Sequence, residues 1–277
     1  MAVLLGLCVA ITYGASDFLG GFASKRSTSD SVVAMTQSIG FVISLVIVFL
    51  VGWDEVTGRD IGLSIGSGAG QVLGVVLLYR GLATGRMGVV APVSAVTSAL
   101  LPISYGLGTG EDPSALALFG VLLAIIAVAI VAAEPDHKST GNDRSALALA
   151  IGAGLGFGTS FIFFGETGEA SGFWPVVIAR LTAATLVVTF ILAARRPRLP
   201  DRSERPVAVA AGVLDTTANG LLLFAVRGEM LSLVAPVASL YPASTVVLAR
   251  FVLHEPIGRQ RLAGLALAAV ALVFIAI

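Results

Sequence analysis

Ten apolar runs separated by short polar breaks organise the chain: residues 2–22, 31–51, 61–79, 87–105, 114–133, 146–164, 173–194, 207–226, 230–253 and 262–277. A helix rising 1.5 Å per residue needs about 20 apolar residues to cross a bilayer, so each run predicts one transmembrane helix. The runs are continuously apolar rather than alternating, which argues against barrel strands, and lipid admits only helices or closed barrels. The longest polar connections, 134–144 and 195–205, are too short to fold alone. The expected class is therefore an all-α integral membrane protein with ten transmembrane helices.

Composition sharpens this picture. Of 277 residues, 56% are hydrophobic and 12% charged, against about a quarter charged in soluble proteins, which excludes a soluble catalytic or DNA-binding domain. The 17 basic and 17 acidic residues cancel, leaving no net field for nucleic acid. A single cysteine, Cys8, excludes an internal disulfide or a cysteine-based metal cluster and reads as a helix-buried thiol. Met1 to Ala10 carries no basic segment before its apolar run, so it reads as a retained first helix rather than a cleaved signal.

The basic residues are partitioned by loop parity. Connections after the odd-numbered helices hold thirteen (Lys25, Arg26, Arg80, Arg86, Lys138, Arg144, Arg195, Arg196, Arg198, Arg202, Arg205, Arg259 and Arg261), and the even ones hold only Arg59 and Arg227. Under the positive-inside rule the odd connections face the cytoplasm of a plasma membrane and both termini lie outside.

The chain also repeats itself at an offset of 144. Ala91-Pro92-Val93 recurs as Ala235-Pro236-Val237, Glu111 as Glu255, Gly120 as Gly264, Val32-Val33 as Val176-Val177, and Tyr13-Gly14-Ala15-Ser16 as Phe157-Gly158-Thr159-Ser160. Two units follow, residues 1–133 and 145–277, joined by a polar linker at 134–144. Five helices is an odd number, so the second unit enters the membrane upside down relative to the first. Such a 5+5 inverted-topology repeat places a site near the midplane between two bundles that rock to open it alternately to each side.

These motifs resemble the drug/metabolite transporter superfamily, specifically its EamA-type ten-helix members, over the whole chain. The resemblance is carried by the aromatic-Gly pair of each half (Tyr13-Gly14, Phe157-Gly158), Arg180 in the second helix of the second half, the Leu240-Tyr241-Pro242 stretch, and the Glu closing each fourth helix (Gly110-Glu111, His254-Glu255) with Gly120 and Gly264 nine residues later. The first half departs from the pattern: Ser98 stands where its copy has Pro242, and Thr36 where its copy has Arg180. The resemblance implies export or exchange of small metabolites and names no substrate.

Polar groups inside the predicted spans are the candidate chemistry. Asp215 lies near the centre of helix 8, where an unpaired carboxylate costs a few kcal/mol or more; it is expected to be neutral, paired or lining a wet cavity. Asn219 follows one turn later, and Gln71 is the repeat-mate of Asp215. Arg180 has two readings: a structural ion pair with Glu166, Glu169 or Asp215, or a fixed cation suited to an anionic or zwitterionic substrate. Asp17 reads either as a boundary salt bridge with Lys25, Arg26, Arg80 or Arg250, or as a proton-coupling carboxylate alongside Asp215. Tyr241 and Pro242 in mid helix 9 free a backbone carbonyl and set a hydroxyl beside it. Gln37 and Thr97 complete the substrate-binding candidates. Glycines 62, 66, 70 and 74 on helix 3 and 152, 154, 156 and 158 on helix 6 give smooth faces for close packing or for sliding. His137 and His254 fall in connections and give no metal geometry, and nucleotide-cradling or nucleophile motifs are absent.

The expected function is a secondary transporter, not an enzyme, that moves a small polar metabolite such as an amino acid or drug-like compound by alternating access, as exporter or exchanger. It needs no cofactor or metal, with protons as the candidate coupling ion, lipid and small-molecule substrate as its partners, and a monomer able to complete the site. The competing readings are an integral-membrane enzyme on a lipid-linked substrate and a passive channel or receptor. The enzyme would need several ionisable groups converging at one depth.

Overall fold

The computed structural model describes residues 2–24, 26–51, 55–83, 87–132, 143–197, 199–252 and 258–276. Among them the chain forms α1 (Ala2–Ser24), α2 (Ser29–Val51), α3 (Gly58–Ala83), α4 (Met87–Gly108), α5 (Ala115–Ala132), α6 (Asp143–Gly165), α7 (Trp174–Ala193), α8 (Arg205–Gly228), α9 (Leu231–Ala238), α10 (Tyr241–Val252) and α11 (Arg259–Ala276), with a 3-10 turn at Glu169–Ser171. No strand occurs among the described residues. Six helices are long and apolar enough to cross a membrane, and the segments Val93–Gly108, Ala115–Ile130 and Leu262–Ile275 are shorter apolar helices. The chain is thus a helical multi-pass membrane protein. Lys25, Arg86, His137, Lys138, Arg198, His254, Glu255 and most of the linker at 134–144 lie outside the described residues.

Each apolar run became helix, and the helices extend beyond several runs where polar residues cap them. Thr57 and Asp60 form a reciprocal box at the start of α3: the Asp60 amide donates to Thr57 Oγ1 at 3.2 Å and the Thr57 amide to Asp60 Oδ2 at 3.1 Å. Ser114 Oγ accepts from the Ala117 amide at 3.1 Å and so opens α5. Between α4 and α5, Gly110 adopts φ +100°, a region L side chains avoid. The ninth run differs from expectation, since it is two helices interrupted at Ser239–Leu240. Pro242 occupies the second position of α10, where a missing N–H costs little, and the carbonyl it leaves without a helical donor is that of Ala238, four residues back. Cys8 also differs: it is exposed, on the same outward face as Leu4 and Ile11, because those three follow helical spacing on the side of α1 away from its neighbours.

α6 lies between α3 and α4, and α1 lies between α8 and the α9–α10 pair. α5 packs along α11, α2 along α7, α3 on α7 and α8 on α2. Exchanging each helix for its counterpart 144 residues away maps this set of neighbours onto itself. Individual contacts obey the same exchange. Ser67 Oγ lies 2.7 Å from Ser160 Oγ, while Ser16 Oγ donates to the Ala211 carbonyl at 2.9 Å. A Cβ on Gly68 would run into the Ala179 carbonyl oxygen, and one on Gly212 would stand 2.9 Å from that of Thr36.

The α6 glycines divide between two partners. Gly152 and Gly156 face α3, at Leu77 and at Gly70 and Gly74; Gly154 and Gly158 face α4, at Ser94 and Thr97 and at Ser98 and Leu101. The buried apolar core runs between the helices, while Val42, Val46, Phe49 and Leu50 on α2 and Leu181 and Leu186 on α7 point outward, as side chains facing hydrocarbon do.

Hydrogen bonds tie the connections after α2, α4, α6 and α8 into one polar layer. Arg59 reaches Glu166 at 2.6 Å, Gly168 donates its amide to Asp60 Oδ1 at 2.8 Å, and Arg227 donates to the Gly172 carbonyl, Thr167 Oγ1 and Ser171 Oγ. Glu111 accepts the Leu231 and Ser232 amides, both at 2.8 Å. The connections after α1 and α7 meet separately, through Arg26–Glu204 at 3.5 Å, Arg196–Asp30, and the Asp201 amide on Ser27 Oγ. The connections after α2, α4, α6 and α8 thus share one end of the bundle, and those after α1 and α7 meet at another.

Candidate functional site

Near the middle of the helices, three of them, α2, α7 and α8, meet at one guanidinium. Arg180 of α7 is fully buried because α2 offers it Gly40, where a Cβ would stand 3.1 Å from Arg180 Cδ and 3.2 Å from Nε. Its NH1 donates to Asp215 Oδ2 of α8 at 2.5 Å and to Gln37 Oε1 of α2 at 2.6 Å. Both bonds are charge-assisted, because the donor is a guanidinium. The Asp215 side chain keeps 16% of its surface exposed, against 1% for Arg180.

The network continues one turn along α8. Asn219 Nδ2 donates to the Asp215 carbonyl at 2.8 Å, and its Oδ1 accepts from Gln71 Nε2 of α3 at 2.6 Å. Four of the sequence candidates, Arg180, Asp215, Asn219 and Gln71, thus join one chain of bonds, and Gln37 joins it as the second acceptor of Arg180. Of the three acids open to Arg180, Asp215 is the partner. Glu166 instead holds Arg59.

Tyr13 of α1 adds a group the sequence reading used only as a motif. It lies beside Gln71 and in the field of Asp215, Arg180 and Asp17, and its hydroxyl finds no well-formed hydrogen bond. The signal was available, because Tyr13 precedes Asp17 by one helical turn and shares its face. Tyr13 stacks on Phe161 of α6 with ring centroids 6.5 Å apart.

Asp17 is half-buried and makes no hydrogen bond or ion pair among the described residues; Asp215 is its charged neighbour. Of the basic partners expected for it, Arg26 is paired with Glu204 and Arg80 sits over the Phe190 ring at 5.6 Å. Lys25 and the Arg250 side chain lie outside the described set. Tyr241, at the start of α10, is buried beside Ser94 and within the field of Asp17. Thr97 is half-buried and packs its Cβ against Gly154, away from the Arg180 bonds. Near the helix break, Ser98 Oγ of α4 lies 3.3 Å from Ser239 Oγ. Among the described residues no three His, Cys, Asp or Glu side chains converge as a metal site would require.

Sequence reasoning missed the layer formed by Asp60, Glu111 and Arg227. Glu111 stands out in the sequence as a repeated residue and as the Glu closing the fourth helix, and its role as an acceptor for the first amides of α9 is legible only once α9 starts at Leu231.

Comparison with known proteins extends this picture. No curated protein matches the chain. A solved crystal structure superposes with a TM-score of 0.80 over 99% of this chain and 95% of its own, at 14% identity, a likeness that shows the fold. The family model described as the EamA-like transporter family matches twice, over residues 1–133 and 144–277. With its apolar helices, its two family matches and its buried polar cluster, the chain belongs to the EamA-like transporter family, part of the drug/metabolite transporter superfamily.

Proposed function

We propose that the protein is a secondary transporter of a small polar metabolite, an amino acid or analogue or a drug-like compound, acting as an exporter or exchanger by alternating access. Two five-helix units, residues 1–133 and 145–277, inserted in opposite senses, enclose the site. The observation that carries this reading is the bonded chain Gln37–Arg180–Asp215–Asn219–Gln71. It joins α2 and α3 of one unit to α7 and α8 of the other, near mid-span, where ionisable side chains are costly even when paired and so mark transport pathways. The exchange symmetry of the helix neighbours and the gathering of the connections after α2, α4, α6 and α8 at one end support the inverted repeat. Membrane enzymes need several acids and bases at one point, and the described cluster supplies one paired acid and base with neutral amides.

The substrate-contacting set is Asp215, Asn219, Gln71, Arg180, Gln37, Tyr241 and Thr97, with Asp215 and Asp17 as the carriers of a coupling proton. The basic connections face the cytoplasm of the plasma membrane, with both termini outside; a cysteine introduced at the exposed Leu199 is then labelled only from the cytoplasmic side. One chain supplies both units, so the working form is a monomer.

Counterflow in vesicles tests the function. Purified protein is reconstituted, the vesicles are loaded with unlabelled amino acids or related metabolites, and uptake of the labelled compound is followed. Saturable uptake stimulated by the loaded compound is expected. Flux that neither saturates nor responds to loading marks a pore, and no flux with any metabolite refutes the transporter reading.

A further inference from the structure

We infer that the outer seam between α3 and α7 is a binding site for an anionic phospholipid, with Arg80 and Arg196 holding the headgroup phosphate. The site lies at the end of the bundle where the connections after α1 and α7 meet, and it is built from two helix termini. Arg80 stands exposed in the last turn of α3. α7 ends at Ala193; Arg195 then takes φ +51°, and the Arg196 amide donates to the Ile191 carbonyl at 3.0 Å. That turn folds the chain back over the helix end. Both guanidiniums consequently lie over one ring, that of Phe190, at 5.6 Å and 5.4 Å from its centroid. Two like charges are thereby fixed within reach of a single anion. Asp30 engages only NH1 of Arg196, whose side chain keeps 48% of its surface exposed.

Along the helices from these charges the seam is apolar and faces hydrocarbon. Leu186 and Phe190 stand one turn apart on α7, Leu73 precedes Arg80 by two turns on α3, and all three apolar side chains are exposed. An acyl chain laid along them leads to a pair of guanidiniums at the helix ends, the level of the headgroups. Each guanidinium fork takes phosphate oxygens in pairs, which an ammonium does not. The wider field favours the same ligand: the connections after the odd-numbered spans hold thirteen basic and seven acidic residues, and anionic lipid gathers at such a surface. Free phosphate would satisfy the arginines alone, whereas a lipid covers the exposed Leu73, Leu186 and Phe190 as well, so the occupant is the lipid. α3 belongs to the first family match and α7 to the second, and a lipid seated here touches both halves at once.

The test is lipid binding to the purified full-length protein in a neutral detergent, followed by native mass spectrometry. The probes are phosphatidylglycerol, phosphatidylcholine with the same acyl chains, and inorganic phosphate. Phosphatidylglycerol is expected to bind at least tenfold more tightly than phosphatidylcholine, and phosphate at matched concentration is expected not to displace it. Arg80→Gln is expected to lose about fivefold of the phosphatidylglycerol affinity, the scale of one arginine at a membrane surface. Arg202→Gln, at an arginine exposed at the same end and over no ring among the described residues, is expected to keep it. A photoreactive phosphatidylglycerol locates the lipid on the wild-type protein even if Arg80→Gln fails to fold, with crosslinks expected in residues 73–80 and 186–196. Equal binding of the two lipids, displacement by phosphate, equal losses in the two variants, or crosslinks confined to other helices overturns the inference.

Discussion

Replacing Arg180 by Met removes one partner of an ion pair whose guanidinium side is 1% exposed and whose carboxylate side is 16% exposed. Asp215 is then left charged and unmatched inside a membrane span, and Gln37 Oε1 loses its donor as well. Breaking a buried pair from one side typically costs about 3–5 kcal/mol; the partial exposure of Asp215 places this case near about 3 kcal/mol, more than a hundredfold in the folding equilibrium. Removing both charges is different. In Arg180→Met with Asp215→Leu, no buried charge remains, and isosteric apolar replacement of a buried pair is often close to neutral. Gln37 still lacks a donor, which costs about 1–2 kcal/mol, so the double variant is expected to recover roughly half of the loss. The assay is reversible unfolding in mixed micelles, with all four members of the cycle measured in one detergent, and counterflow measured on the folded variants. Transport should be lost in the double variant despite its recovered stability. A single Arg180→Met change below about 1 kcal/mol, or a double variant less stable than that single one, would refute the reasoning that the pair is buried and coupled.

Two further outcomes follow from the packing. At Gly156 an added methyl would stand 2.6 Å from the Gly70 carbonyl oxygen, a backbone atom that has no side-chain freedom to yield, whereas Gly62 has nothing within 4 Å. Gly156→Ala should therefore cost about 1–3 kcal/mol in the same unfolding assay, while Gly62→Ala should be neutral or slightly stabilising through helix propensity; equal effects would mean that α3 and α6 are not in backbone contact. Glu111→Ala strips the acceptor from the Leu231 and Ser232 amides and should cost about 1–2 kcal/mol, with faster hydrogen exchange confined to the start of α9; unchanged exchange at those two amides would show that the cap is not formed.

The helices and the main partners at the site were legible in the sequence for the same physical reason. In hydrocarbon, apolar length defines a span, and an ionisable residue inside one stands out because it is costly. That logic singled out Asp215, Arg180 and Asp17, and the repeat offset added Gln71. It could not choose among Glu166, Glu169 and Asp215 as the partner of Arg180, since that choice depends on how α7 rotates against α2 and α8, and Gly40 fixes that rotation through a contact 140 residues away in the chain. The interruption at Ser239–Leu240 is not legible in the sequence, because Tyr241 and Pro242 read as the middle of one helix, whereas a proline early in a helix starts it. Cys8 was read as buried because periodicity alone does not say which face of an apolar helix meets its neighbours.

The break between α9 and α10 has a mechanical consequence when set beside α4, which runs unbroken from Met87 to Gly108. A continuous helix transmits displacement along its axis like a stiff rod, and two short ones with a turn between them act as a jointed arm. Glu111 holds the first amides of α9, and α9 and α10 both pack on α1, so the turn at Ser239–Leu240 is the point at which this half can bend, whereas its counterpart α4 has no such joint.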